Sequence, residues 1–127
     1  MGLLITLFCI AFFWLLVGHA VSEFALQSDA MAKGKNFNSE PGPVPWYYWM
    51  ASHSLIHAGA VTLITGSIFL GIMELVLHFA ADCAKCAGYT SIHVDQFFHV
   101  ICKLCWAYLA AQDGVAYVSN ERGSTGG

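Results

Sequence analysis

Four pairs of metal-type ligands recur at a spacing of four residues along this 127-residue chain: His19/Glu23, His53/His57, His78/Asp82 and Asp95/His99. On a helix, residues i and i+4 stand one turn apart on the same face, so each pair offers two donors to one side. Helix bundles build dinuclear sites in this way, from carboxylates and imidazoles on facing helices. Eight donors exceed the needs of one ion, so the set predicts two divalent ions, zinc first, with iron and manganese as alternatives. Charge points the same way. Glu23, Asp82 and Asp95 supply three negative charges against the four positive charges of two ions, and a bridging hydroxide cancels the surplus. A water on such an ion ionises near pH ~7 and is the usual hydrolytic nucleophile.

The composition says where those donors must be held. Hydrophobic residues make up 57% of the chain and charged residues 10%, against roughly 25% charged in a soluble domain. This predicts a membrane protein with the lipid bilayer as its surroundings. The net charge of −3 and only five Lys and Arg residues exclude nucleic acid as a partner, since phosphate neutralisation needs a basic surface. The sequence carries no signal of oligomeric state. Five cysteines, an odd number, do not form a secreted disulfide framework. Val17-Gly18-His19-Ala20 loosely imitates a signal-peptidase site, but Met1 to Phe8 lacks a basic residue. A retained helix is therefore expected.

Apolar runs and breakers predict an all-α, membrane-embedded four-helix up-down-up-down bundle over residues 1–118, with a polar flexible tail at 119–127. The expected helices are about 3–32, 49–64, 68–86 and 92–112. Lys33 to Pro45 reads as a polar connector, because its glycines and prolines prevent a regular helix. Trp46-Tyr47-Tyr48-Trp49 is an aromatic cluster of the kind found at headgroup level. From Met50 to Cys86 the chain would reach ~55 Å as a single helix, against a hydrocarbon core of ~30 Å. Thr65-Gly66-Ser67 is the natural turn within it, leaving two short helices that need tilt or local thinning. In the alternating topology all four ligand pairs fall at the same membrane side. Packing alone does not offset the cost of desolvating so many polar groups at one depth.

Cys83-x-x-Cys86 and Cys102-x-x-Cys105 suggest a rival four-Cys zinc site. With Asp82 and Asp95 level on antiparallel helices, however, the two cysteine pairs lie ~16 Å apart along the axis, too far for Zn–S bonds of ~2.3 Å. The cysteines are assigned to packing. By the same geometry Glu74 and Lys103 both lie ~9 Å deeper than the ligand pairs. They are expected to form a buried ion pair, with Glu74 as a proton acceptor or an extra metal ligand in the functional alternative. Lys85, one turn beyond Asp82, is a candidate catalytic and substrate-binding residue, with Gln27 and Gln96 as further substrate contacts. His93 points away from the Asp95/His99 face.

The ordered set His19-Ala-Val-Ser-Glu23-Phe24-Ala-Leu26-Gln27, Met31-Ala32-Lys33, His53-x-x-x-His57, His78-Phe-x-x-Asp82-x-x-Lys85 and Asp95-Gln96-x-x-His99 resembles the domain of unknown function 3307, a family of small bacterial and phage membrane proteins. The resemblance covers nearly the whole chain before the tail and implies a polytopic membrane protein. The family more usually has Asp where this chain has Glu23, which keeps the carboxylate and lengthens its reach. A more distant similarity is to small membrane proteins labelled metal-dependent hydrolases. Together these readings predict an integral membrane metalloprotein, a metal-dependent hydrolase acting on a lipid-like phosphoester or amide at the interface. The alternatives are a di-iron oxidoreductase, a non-enzymatic metal-binding or transport protein, and a phage-encoded membrane modulator. Lys33, Lys35 and Lys85 on the ligand side, against Arg122 opposite, place the site at the cytoplasmic face of a bacterial or host membrane.

Overall fold

Helix α1 (Gly2–Ala20) is apolar around its whole circumference and buries little of it: Ile10, Phe13 and Trp14 all face outward. The computed structural model describes residues 1–124, and its other helices are α2 (Asp29–Gly34), α3 (Trp46–Thr65), α4 (Ile68–Cys86) and α5 (Ile92–Ser124), with no strand among the described residues. A π-helical turn, Val21–Ala25, continues directly from α1. Gly2–Ala25 is the one stretch among the described residues that is long and apolar enough to cross a membrane, and only 11% of its apolar window is buried. That exposure is unlike the core helix of a soluble protein.

Local chemistry sets the helix ends. Gly66 takes the left-handed conformation (φ 71°) that closes α3, and the Ser67 hydroxyl accepts a hydrogen bond from the Leu70 amide to open α4. Gly88 (φ 83°) follows α4, and Ser91 caps α5 through the Val94 amide. The two-residue link leaves α3 and α4 as antiparallel neighbours. The four long helices close a ring in the order α1, α3, α4, α5, with neighbours antiparallel and α1 diagonal to α4. A close approach fixes the α3–α4 pair. A Cβ on Gly71 would collide with the Thr62 hydroxyl and stand 3.0 Å from the Ala58 carbonyl oxygen. Gly71→Val is therefore expected to destabilise the protein by about 1–3 kcal/mol, read as a lower unfolding temperature. An unchanged temperature would mean that the helices do not meet there.

Three expected boundaries change, the smallest being that of α3, which starts at Trp46 and not at 49. The first helix does not run from 3 to 32. The Leu26 amide bonds the Val21 carbonyl across the π turn, and Ser28 then caps α2 through the Met31 amide. A Ser-Asp start favours a fresh helix at this point. The last helix does not stop near 112. No proline interrupts the sequence up to Ser124, and Gly114 lets α5 lie close to Leu7 of α1. Residues 119–124 of the expected tail are helical, and 125–127 lie outside the described residues.

The interior is rich in polar and charged side chains, and many large apolar ones are exposed. The buried set is dominated by His19, Glu23, Lys35, His53, His57, Glu74, His78, Asp82, Asp95, His99 and Lys103. Leu63 (87% exposed), Phe69, Val76 and Phe97 (68%) face outward. A modest apolar cluster of Leu15, Val61, Leu70, Cys102, Trp106 and Ala107 packs the helices together.

Candidate metal centre

The ligand pairs reach the centre from four helices. His19 closes α1, Glu23 sits in the π turn, His53 and His57 lie in the middle of α3, His78 and Asp82 lie in the second half of α4, and Asp95 and His99 open α5. π turns often occur at functional sites, and this one carries the buried Ser22 and Glu23.

Two groups of donors lie around Glu23 and Asp82, and a third, Glu74, His78 and His99, shares one imidazole with each of them. In the first, Glu23 Oε2 lies 3.1 Å from His57 Nε2, 3.4 Å from His53 Nε2 and 3.9 Å from His78 Nε2. Around a four-coordinate ion with bonds of ~2.05 Å, ligand atoms stand ~3.3 Å apart, so these separations suit one ion. The second group is Asp82, Asp95 and His99, with His99 Nε2 3.3 Å from Asp95 Oδ1 and 3.9 Å from Asp82 Oδ1. Asp82 faces both groups, because its Oδ2 is 3.6 Å from His53 Nε2 and 3.8 Å from His78 Nε2. Nε2 of His53, His57, His78 and His99, Oε2 of Glu23 and Oδ1 of Asp95 are all buried without a hydrogen-bond partner. Buried polar atoms are normally paired. A cluster of unpaired donors aimed at one another is what a metal ion satisfies, so these groups can hold one.

Seven of the eight expected ligands fall in these groups. His19 does not. Its Nε2 shares a hydrogen bond with Gln96 Oε1 at 3.0 Å, and its ring packs beside those of His57 and His99. Gln96 also donates to Glu23 Oε1 (3.3 Å) and Asp95 Oδ2 (3.4 Å), so it braces the ligands from the side. Gln27 donates to the Glu23 carbonyl and leaves its own Oε1 buried and unpaired. His93 is exposed. No cysteine belongs to a ligand group among the described residues, and all five are free thiols.

Lys85 bridges the two aspartates, 2.9 Å from Asp82 Oδ1 and 2.7 Å from Asp95 Oδ2. Lys35, which the helix-pair pattern does not single out, reaches in after α2, is 4% exposed and bonds Asp82 Oδ2 at 2.5 Å. Its readable signal was the Ser28-Asp29 helix start, which turns the connector back over the site. Close packing of Gly34 on the Trp49 ring holds that turn in place.

Beneath the centre, Glu74 and Lys103 form the expected ion pair at 2.6 Å, both 1% exposed. Glu74 Oε2 also accepts from Trp106 Nε1 at 2.7 Å, and its Oε1 lies 3.4 Å from His78 Nδ1. Both carboxylate oxygens thus have partners. Glu74 stands behind His78, on the far side of the ring from the first group, as a carboxylate that orients a ligating imidazole does.

No curated protein and no solved structure matches the chain. Residues 11–122 match the family model described as protein of unknown function, DUF3307. This match spans most of the sequence and every residue of both ligand groups, and the chain belongs to that family.

Proposed function

We propose that this protein is a membrane-embedded four-helix metalloprotein whose His/carboxylate centre holds two divalent ions, zinc first, and hydrolyses a lipid-like substrate at one membrane face. The observation that carries the reading is the convergence of unpaired buried imidazole and carboxylate atoms from α3, α4, α5 and the π turn. The apolar exterior around a polar interior supports placement in a bilayer. Two donor groups that share Asp82 support two ions, and nitrogen-rich coordination suits zinc, with iron as the redox alternative.

Bound ions would supply Lewis acidity and a water acidic enough to be a nucleophile at neutral pH. The protein's own residues position and exclude. Gln96 fixes Glu23 and His19, and Glu74 fixes His78. His19, outside both ligand groups, is held by Gln96 beside the His57 and His99 rings. Lys35 and Lys85, which favour a cytoplasmic orientation, are both engaged by the aspartates. Their position has a chemical cause beside the topological one.

Metal analysis of the protein purified in detergent tests this reading. About two equivalents of zinc are expected, falling below one in the His78→Ala plus Asp95→Ala double variant, which removes a ligand from each group. Less than one equivalent, unchanged by the double substitution, would sink the metal centre. Stoichiometric iron with visible absorption would transfer the reading to redox chemistry.

A further inference from the structure

We propose that Lys35 and Lys85 form the cationic wall of a phosphate subsite, so that the substrate class of this centre is a phosphoester and not an amide. The inference rests on the two-ion reading above. Lysine is rarely this buried without a fixed anionic partner, and here two lysines from separate segments meet the same carboxylate. Lys35 holds Asp82 Oδ2, and Lys85 holds Asp82 Oδ1 together with Asp95 Oδ2.

Those Asp82 oxygens are also the ones that face the imidazoles of both ligand groups. An ion drawing on Asp82 competes directly with the ammonium groups for it. The charges show what must follow. Glu23, Asp82 and Asp95 with Lys35 and Lys85 leave one negative charge, and two divalent ions convert this to three positive ones. A buried surplus of that size is unfavourable without an anion. A phosphate monoester brings two negative charges and several acceptor oxygens to two ammonium groups displaced from Asp82, and a hydroxide completes neutrality. An amide brings no charge and leaves Lys35 unpartnered and Lys85 with Asp95 alone beside the ions. Lysine also suits the role, as a compact point charge for phosphate. The subsite opens on the Lys85 side, whose side chain is 20% exposed where that of Lys35 is 5%.

The test is calorimetric titration of inorganic phosphate into the full-length, zinc-loaded and desalted protein, with zinc content measured in every sample. Phosphate is expected to bind the loaded protein and not the chelator-stripped one. Lys35→Met and Lys85→Met should each weaken binding at least ~10-fold with zinc content unchanged, and Lys33→Met, at an exposed position, should have no effect. Should Lys35→Met fail to fold, Lys85→Met decides. Reconstitution in phosphatidylcholine nanodiscs with and without phosphatidic acid separates the two sources. Loss of inorganic phosphate binding only in the phosphatidic acid discs assigns the subsite to a lipid headgroup, and equal binding assigns it to a soluble phosphate. Either result supports the subsite. Zinc uptake without phosphate binding, or equal affinity in all three lysine variants, overturns it alone. Absence of zinc uptake overturns it together with the metal centre.

Discussion

Lys103→Met is expected to destabilise the protein by about 3–5 kcal/mol, a fall in unfolding temperature of roughly 10 °C or more. Removing one partner of a buried ion pair leaves the other uncompensated, and Glu74 is 1% exposed with Lys103 as its one lysine or arginine partner among the described residues. The Trp106 indole and the His78 ring would remain on the carboxylate but cannot neutralise it without protonation of the imidazole. Adding Glu74→Gln to Lys103→Met should recover a large part of the loss. The amide carries no charge, yet its oxygen still accepts from Trp106 Nε1. Unfolding of the single and double variants, followed by circular dichroism, closes the comparison. A single-variant cost below ~1 kcal/mol, the range of an exposed pair, would show that the pair is not desolvated. Metal content adds a readout that a purely structural role would not move. Loss of the carboxylate behind a ligating imidazole typically weakens metal binding 10- to 100-fold, so Glu74→Gln alone should lower zinc affinity within ~10–100-fold.

Much of this architecture is legible in sequence because a composition of 57% hydrophobic and 10% charged residues removes most alternatives. Once apolar runs and Gly66, Ser67 and Gly88 mark the helices, the i, i+4 pairs fall at one end of the ring without further assumption. The depth argument that separates the cysteine pairs and joins Glu74 to Lys103 uses only the ~1.5 Å rise of a helix. It works because α4 and α5 are uninterrupted, antiparallel α-helices at those positions. It fails where the helix changes type. Treating residues 3–32 as one α-helix makes His19 and Glu23 equivalent, but the π turn leaves Glu23 among the imidazoles and His19 against Gln96. No composition signal distinguishes an α turn from a π turn here. Lys35 escapes for a related reason. A lysine in a Gly- and Pro-rich connector ordinarily faces water, and only the folding of α2 back onto α3 carries it into the site. Charge counted without Lys35 and Lys85 therefore misses two of the five ionic side chains that set the balance of the centre.

Asp82→Asn should reduce bound zinc from about two ions to about one. The remaining ion belongs to Glu23, His53, His57 and His78, which keep a complete four-donor set without Asp82. The second group keeps only Asp95 and His99, and two donors are too few to retain an ion through purification. Asparagine also presents one acceptor oxygen where aspartate presents two, so Oδ1 and Oδ2 can no longer face His99 on one side and His53 and His78 on the other. Lys35 loses its carboxylate altogether and Lys85 loses one of two. Asp95→Asn should give the same single ion with Lys35 still paired, and Glu23→Gln should instead weaken the first site while leaving Asp82, Asp95 and His99 intact. Zinc stoichiometry and competition with a chromogenic chelator across the three variants separate these outcomes. Two ions retained at undiminished affinity in Asp82→Asn would mean that the groups share no carboxylate and hold their ions independently. Loss of both would mean that Asp82 organises the first group as well, through the 3.6 Å and 3.8 Å approaches to His53 and His78.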